Sequence, residues 1–318
     1  MSLDIWHRRF GHAHHAVIKK MEAENSVIGL CLSKDPVDPE PCKGCALGKS
    51  HRQPFPNSGR RRATKIGEIV HSDLCGPMSV PSITGSLYYV LFQDDASGFR
   101  VVYFLKTKCE VFHYFKIYAA RMLTETNNCI SILRSDNGGE YVDGDFKHYL
   151  STNGVRHETC APYTPEQNGV SERSNRTLME YAMSSLFDLN LPRDLWAEAV
   201  NTAVYVNNRI HGKTTKTTPF ESWYGRKPDV SYFRIFGSFA YVHIPKSLRR
   251  KLDPKSQKLL FVGYSEKQKA YRFFDRSTRK ITVSRAAIFC ESPLKIEAVH
   301  FTAFFSFFFL PSAKYKEF

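Results

Sequence analysis

The sequence lacks any hydrophobic run long enough to cross a bilayer. Its most apolar stretch, from Phe301 to Pro311, has 11 residues, whereas a membrane-spanning helix needs roughly 20. The opening residues, MSLDIWHRRF, contain no apolar core of the kind that a secretory signal has. We therefore expect neither a membrane span nor a secretory signal.

Regular cysteine spacing is also lacking. The cysteines stand at positions 31, 42, 45, 75, 109, 129, 160 and 290. In a chain of 318 residues, this arrangement excludes a small disulfide-held scaffold and favours a reducing compartment. The length predicts two or three domains. A composition of 42% hydrophobic and 24% charged residues excludes a mainly disordered chain.

At both ends of the chain there are too few acidic residues to balance the basic ones. The net charge of +14 divides into +5 for residues 1–70, −3 for residues 71–225 and +12 for residues 226–318. A polyanion such as DNA would therefore bind the two basic flanks. The acidic middle needs cations before a phosphate group can approach it.

Strand and helix patterns follow one another in an informative order. Three β-rich runs in the middle of the chain precede helical patterns over about 109–124 and 143–152, which alternate with short strands. Longer helices are expected to begin near Asn168 and after Pro192. Apolar stripes are predicted in two of these helices, formed by Val111, Phe115 and Met122 in the first and by Leu195, Ala199, Ala203 and Val206 in the helix after Pro192. This order predicts an α/β fold with a mixed sheet and helices packed on its faces. Beyond Pro228, four short β runs, the last being KITVSRAAIF, predict a small antiparallel β-barrel.

Two histidines and two cysteines near the start of the chain have spacing suited to one zinc ion. His7 and His12 are followed by Cys42 and Cys45, and two imidazoles with two thiolates suit a tetrahedral, structural Zn²⁺ site. Either pair alone is commonplace. Together, in a basic module too small to bury a large core, they predict a bound zinc that stabilises the fold.

Three carboxylates stand where the ends of predicted elements can meet. Asp73 and Asp136 each lie at the end of a predicted strand, and Glu172 lies in the first turn of the following helix. Such groups repel one another unless divalent cations neutralise them. The set suits two-metal phosphoryl transfer, in which ions about 3.5–4 Å apart activate the attacking oxygen and stabilise the leaving oxygen. Oxygen ligands favour Mg²⁺, with Mn²⁺ as a substitute.

Plainer interpretations of these residues stay open on the pattern alone. The run from Asp136 to Gly139 is typical of a turn that ends a strand, and Asn168-Gly169 is typical of a turn into a helix. Asp94 and Asp95 also follow a predicted strand, so either one could take the place of Asp73.

Five motifs occur in a specific order, namely WHRRFGH, CKGCALGKSHRQPF, HSDLCGP, RSDNGGEY and YTPEQNGVSERSNRTL. In order and spacing they resemble the integrase of copia-type long-terminal-repeat retrotransposons, and the similarity runs from residue 3 to about residue 292. The 35 residues between Asp136 and Glu172 match the spacing of the retroviral integrase Asp, Asp, Glu triad.

This resemblance implies an RNase H-like catalytic core in which Asp95 is a structural residue. The metal ligands would be Asp73, Asp136 and Glu172. The zinc ligands would be His7, His12, Cys42 and Cys45. The implied reaction is trimming of the element's DNA ends by water, followed by attack of the 3′-hydroxyl on target DNA. Implied partners are element and target DNA and further copies of the chain in a multimer, and the implied destination is the nucleus, by way of a cytoplasmic virus-like particle.

In this family, a mobile loop before the glutamate-bearing helix contacts the element end, and here that loop spans 161–169. We carry Tyr163 and Asn168 over as DNA contacts. Arg176 lies one turn beyond Glu172 on the same helix face, where it can hold a phosphate near the metals. The plainer interpretations are ordinary loop residues for the first two and a solvated helix charge for Arg176.

The predicted domains are a zinc-binding module at 1–60, the integrase core at 61–225, a basic β-barrel at 230–295 and a divergent Phe-rich tail at 296–318. The core contains DDASGF where the family usually has an aromatic residue and an arginine. The alternative to an active integrase is a DNA-binding relic of such an element, since the tail suggests a truncated copy. A plain ribonuclease H would explain the acidic core but neither the zinc module nor the basic barrel.

Overall fold

The structure, a computed structural model, describes residues 1–33, 42–49, 63–159, 169–212 and 217–291. Its helices are α1 (Leu3–Arg9), α2 (His15–Ala23), α3 (Lys43–Gly48), α4 (Val111–Thr126), α5 (Gly139–Val142), α6 (Gly144–Thr152), α7 (Gly169–Asp188), α8 (Trp196–Asn207) and α9 (Pro219–Tyr224). Its strands are β1 (Ile69–Cys75), β2 (Tyr88–Asp94), β3 (Arg100–Leu105), β4 (Ile132–Ser135), β5 (Arg156–Thr159), β6 (Phe239–His243), β7 (Ser256–Tyr264), β8 (Tyr271–Phe274), β9 (Ile281–Ser284) and β10 (Ala287–Cys290). None of the helices in these ranges combines the length and apolar character that a bilayer crossing requires.

The central sheet is mixed, as the sequence predicts. Its strand order is β3-β2-β1-β4-β5. The first three strands along the chain pair antiparallel, whereas β4 runs parallel to β1 and β5 runs parallel to β4. Parallel neighbours need a crossover connection, which α4 and α6 provide. This is an RNase H-like fold.

Helices cover both faces of the central sheet. Along β2, Tyr89 and Leu91 pack in the cluster that contains α7 and α8, whereas Val90 and Phe92 pack in the cluster that contains α4. The division follows from the alternation of side chains along a strand. The residues of the predicted helical stripes are all buried, namely Val111, Phe115, Met122, Leu195, Ala199, Ala203 and Val206.

The C-terminal segment forms a second sheet with five strands. Its order is β10-β6-β7-β8-β9, with antiparallel neighbours. The run KITVSRAAIF, predicted as one strand, divides into β9 and β10 on opposite edges of this sheet. The division occurs where the backbone N–H of Ala286 donates to Ser284 Oγ at 3.2 Å, a local turn that competes with strand pairing. No pairing within the described residues joins β9 to β10, so the predicted closed barrel is not confirmed there.

The N-terminal helices share a core with the C-terminal sheet. Phe10, at the end of α1, lies in the same buried cluster as Phe233 and Phe261. The rings of Phe10 and Phe233 meet edge to face with centroids 5.3 Å apart. Arg9 also forms an ion pair with Glu291. Segments that the sequence separates into modules are therefore joined by one apolar interior, while the domain boundaries stay predictions.

Replacing Phe10 by Ala tests this shared core. The side chain is fully buried, so its removal should lower the free energy of unfolding by about 3–5 kcal/mol. Urea denaturation followed by tryptophan fluorescence measures the effect. Leu252→Ala is the control because Leu252 is 99% exposed, and it should change stability by less than about 0.5 kcal/mol. An unchanged transition in the Phe10 variant would contradict the shared core.

Candidate active site and metal centre

Two of the three predicted metal-binding carboxylates, Asp73 and Asp136, lie at the same edge of the central sheet. The parallel pairing of β1 with β4 sets His71 opposite Arg134, and Asp73 and Asp136 each follow two residues later at the same edge, where both charges act on Tyr141. Residues in register on adjacent strands point to the same face, and the strands are about 4.8 Å apart. Both aspartates are partly exposed, so this edge of the sheet presents two adjacent carboxylates to solvent.

The third carboxylate lies in the first turn of α7, a helix that contacts the same edge. Asn175 Nδ2 donates a hydrogen bond of 2.7 Å to Asp73 Oδ2. Glu172 precedes Asn175 by nearly one helical turn, so the two residues share a helix face. Glu172 is exposed. The structure thus brings the glutamate-bearing helix to the aspartate pair through Asn175, a residue that the sequence analysis did not single out.

The donor atoms at this edge fit a hard divalent cation. Asp73, Asp136 and Glu172 offer carboxylate oxygens, and Asn175 Oδ1 is buried with no hydrogen-bond partner in the described part of the chain. Carboxylate and amide oxygens are the ligands that Mg²⁺ and Mn²⁺ prefer. The three carboxylates do not converge on one point, however, because within the described ranges the set of His, Cys, Asp and Glu ligand atoms that does so lies in the N-terminal module.

A buried tyrosine lies beneath the aspartate pair. The hydroxyls of Tyr141 and Ser72 are hydrogen-bonded at 2.6 Å. Burial raises the pKa of Tyr141 well above its usual value, and the nearby charges of Asp73 and Asp136 raise it further. The phenol therefore stays protonated, and it adds no negative charge to a site that already has two.

Asp94 and Asp95, the alternatives to Asp73, hold a turn at the other end of β1. Asp94 is fully buried and accepts hydrogen bonds from the backbone N–H groups of Gly67 and Ser97 at 2.9 and 2.8 Å. Asp95 contacts His71 Nε2 at 3.0 Å. Because β1 and β2 are antiparallel, Asp94 pairs with Val70 rather than with the Asp73 end of the strand. The structure therefore places both at a distance from Asp136.

The two histidines and two cysteines of the N-terminal module do converge. The ligand atoms of His7, His12, Cys42 and Cys45 all lie within 4.8 Å of one another. Nε2 of His7 lies 3.3 Å from Cys45 Sγ, and Nδ1 of His12 lies 3.4 Å from Cys42 Sγ. Two nitrogens and two sulfurs at this spacing fit tetrahedral Zn²⁺.

The protonation of these groups also suits a metal. His7 Nδ1 donates to the carbonyl oxygen of Ala13 at 2.7 Å, which leaves the lone pair of Nε2 available. Burial lowers the pKa of His12 and favours the neutral imidazole. The hydrogen bond between the two thiols lowers the pKa of Cys42, which favours its thiolate, and raises that of Cys45, whose proton a bound metal would displace. Neutral imidazole and thiolate are the forms that ligate zinc.

The metal-binding module packs directly against α7. A side chain at Gly48 of α3 would meet Ser184 of α7, because an added Cβ would lie 2.8 Å from the Ser184 backbone nitrogen. The ammonium group of Lys49 lies 3.8 Å from the centroid of the Tyr181 ring, also on α7. The zinc-type site and the candidate catalytic glutamate are therefore attached to the same helix.

Arg100 is a second residue that the sequence analysis missed. Burial lowers its pKa to about 10, so it stays charged at neutral pH. Its Nε donates to Gln93 Oε1 at 3.2 Å and to Ser174 Oγ at 3.4 Å. Ser174 adjoins Asn175 on α7, so this network holds the helix against β2 and β3. No local pattern in the sequence predicts this role of Arg100, because its hydrogen-bond partners come from distant segments of the chain.

Of the three predicted DNA contacts, the structure describes only Arg176. Arg176 is exposed on α7 and lies 3.9 Å from Glu180, so it is available to a phosphate but already has a nearby acidic partner. Tyr163 and Asn168 lie outside the described residues.

Three domain families match successive parts of the chain. They are the GAG-pre-integrase domain over residues 2–50, the integrase core domain over residues 63–165 and the retroviral polymerase SH3-like domain over residues 238–299. The first contains the four zinc-type ligands, and the second contains Asp73 and Asp136.

Two curated relatives agree with these matches. The chain is 40% identical over 299 residues to the retrovirus-related Pol polyprotein from transposon TNT 1-94 of Nicotiana tabacum, covering 94% of this chain and 22% of that protein. It is 32% identical over 297 residues to the one from transposon RE2 of Arabidopsis thaliana, covering 93% and 20%. A chain of the simian T-cell lymphotropic virus intasome in complex with the PP2A regulatory subunit B56 gamma, solved by cryo-electron microscopy, is 19% identical with a TM-score of 0.44, covering 79% of this chain and 87% of that one.

This chain thus spans about a fifth of the length of the two polyproteins. The matched segments follow the order of the five sequence motifs, and they include the mixed sheet and the converging His and Cys residues. The chain therefore contains an integrase core domain, and over nearly its whole length it is similar to one segment of the retrovirus-related Pol polyproteins of retrotransposons.

Proposed function

We propose that this chain catalyses metal-dependent 3′-end processing and strand transfer, which together join element DNA ends to target DNA. One observation carries the proposal. The parallel pairing of β1 with β4 leads Asp73 and Asp136 to the same edge of the sheet, and Asn175, on the helix that bears Glu172, donates to Asp73 at 2.7 Å; these contacts support the proposal. These residues would hold Mg²⁺ or Mn²⁺.

Each side chain has a defined part in this proposal. When bound, the divalent ions supply the positive charge that activates the attacking oxygen and stabilises the leaving oxygen. Asp73 and Asp136 bind and orient them from adjacent strands, and Glu172 completes the ligand set from α7. Asn175 keeps one oxygen of Asp73 in place by donating to it.

The basic flanks supply the contacts to DNA in this proposal. The net charges of +5 for residues 1–70 and +12 for residues 226–318 favour sequence-independent binding to phosphates. Arg176 would hold a phosphate near the metals, and Tyr163 and Asn168 would contact the element end. A multimer that spans two DNA ends, and a nuclear site of action, complete the proposal.

Replacing Asp136 by Asn should abolish joining. The change removes a negative ligand from the metal-binding edge with little change in shape, so strand transfer should fall at least about 10³-fold. The assay combines purified protein, Mg²⁺, a labelled terminal-repeat end and plasmid DNA. Fluorescence anisotropy should show nearly unchanged DNA binding. Asp145→Asn is the matched control because Asp145 is an exposed carboxylate on α6, and it should join normally.

The same assay decides between the active enzyme and the relic. Wild-type protein that binds the DNA end but forms no joined product would contradict the proposed activity and favour a DNA-binding relic.

We also propose that His7, His12, Cys42 and Cys45 hold one structural zinc ion. Purified protein should contain about one zinc per chain, measured by inductively coupled plasma mass spectrometry. Cys42→Ser should lose the metal and lower the melting temperature, because α3 packs on α7 and its support is weakened. Cys109→Ser alters an exposed cysteine and should keep the zinc. Full zinc content in the Cys42 variant would exclude this site.

A further inference from the structure

A cavity of about 670 Å³ lies between the central sheet and the C-terminal sheet. Its walls come from the start of β3, the second half of α8, α9 and the loop between β7 and β8. This volume is typical of pockets that bind small molecules. None of the candidate catalytic or zinc ligands lines it. Arg100 does line it, and Arg100 also contacts Ser174 of α7, so the cavity neighbours the carboxylate edge without being part of it.

Positive charge dominates the walls of this cavity. Six arginine and lysine side chains line it, against two carboxylates, those of Asp229 and Glu266. Glu266 is paired with Arg121 at 3.4 Å, which leaves still less negative charge to balance the remaining cations. A concave surface of one charge sign attracts a ligand of the opposite sign, so the cavity favours an anion.

Arg209 marks the point in the cavity where an anion would bind. The residue is only 9% exposed and lines the cavity. Its Nη1 donates to the carbonyl oxygen of Tyr205 at 2.7 Å, but its Nε is buried with no hydrogen-bond partner in the described part of the chain. None of the ion pairs among the described residues includes Arg209. A desolvated guanidinium without a counter-charge is costly, and an anion bound in the cavity would supply that counter-charge.

Aromatic rings make up much of the remaining wall. Seven aromatic side chains line the cavity. The Arg209 guanidinium carbon lies 3.6 Å from the Tyr205 ring centroid and 4.5 Å from that of Phe220. Tyr232 and Tyr271, both partly exposed, also face it. Aromatic and guanidinium surfaces together stack unpaired bases well.

We propose that this cavity binds a single unpaired nucleoside phosphate. The phosphate would contact Arg209 and Arg226, and the base would lie among the tyrosine rings. Arg226 is exposed at the cavity wall, 5.5 Å from the centroid of the Phe220 ring. A base pair within a duplex does not present a free base face to such a cavity, and an acidic peptide lacks the planar ring that the lining accommodates. Two sources carry this chemistry, a free mononucleotide and an unpaired nucleotide at a DNA end.

Calorimetric titration of the full chain with deoxyadenosine 5′-monophosphate, without divalent metal, tests the site. Wild-type protein should bind it, and Arg209→Gln should weaken binding at least about tenfold. Arg226→Gln should also weaken binding, and it decides the matter if the Arg209 variant misfolds, because Arg226 is exposed. Arg285→Gln is the control, since Arg285 is exposed and outside the cavity, and it should bind as wild type does.

Two further probes define the ligand. Deoxyadenosine and inorganic phosphate should each bind at least about tenfold more weakly than the nucleotide. Phosphate that binds as tightly as the nucleotide would overturn the role of the base. Undetectable nucleotide binding, or equal binding by wild type and both cavity variants with unchanged circular dichroism spectra, would overturn the site.

A DNA-binding experiment distinguishes a free mononucleotide from an unpaired nucleotide at a DNA end. Anisotropy should compare a blunt duplex with the same duplex carrying a short single-stranded overhang. If the source is a DNA end, the overhang increases wild-type affinity about tenfold, and Arg209→Gln removes that gain. If the nucleotide binds but the overhang adds nothing, the ligand is a free nucleotide. Because these binding assays contain no divalent metal, a negative result would overturn the nucleotide site and leave the proposed joining reaction untouched.

Discussion

The parallel pairing of β1 with β4 is the constraint on which the candidate active site depends. Val70 and Leu133 face each other in this pair, and both are fully buried. A slip by one residue would turn one strand's apolar side chains away from the core, so burial fixes the register. Asp73 and Asp136 each lie two residues beyond the pair of His71 with Arg134, so the same pairing leads both carboxylates to one edge of the sheet. Apolar packing therefore brings two like charges to this edge, where their repulsion favours a bound cation.

The helix α7 connects the other parts of the molecule to this edge. It reaches Asp73 through Asn175 and the central sheet through Ser174, and its far half supports α3 of the metal-binding module. A zinc ion held by that module would act on catalysis only through the stability of this helix. The C-terminal sheet is joined to the N-terminal helices by the cluster around Phe10, so the described parts of both basic flanks are held against the acidic core.

Local patterns predicted much of this structure, and long-range contacts account for what they missed. Spacing along α4 and α8 correctly predicted buried residues such as Phe115 and Ala199, because periodicity reports which helix face is apolar. The single strand predicted for KITVSRAAIF was wrong, since its turn has neither glycine nor proline to mark it. The roles of Asn175 and Arg100 depend on how α7 docks, which no window of sequence contains. The choice between Asp73 and Asp94 stayed open on the local pattern and rested on the family resemblance, and the register of β1 with β2 sets Asp94 opposite Val70. The catalytic and DNA-binding assignments themselves stay predictions.

Anomalous diffraction from crystals of the full chain soaked in Mn²⁺ would test most directly whether Asp73 and Asp136 share a divalent cation. The account predicts a manganese peak about 2.0–2.4 Å from a carboxylate oxygen of each aspartate, and loss of that peak in crystals of the Asp136→Asn variant. A well-occupied manganese elsewhere on the protein with none at this edge, or a peak that survives the substitution, would contradict it.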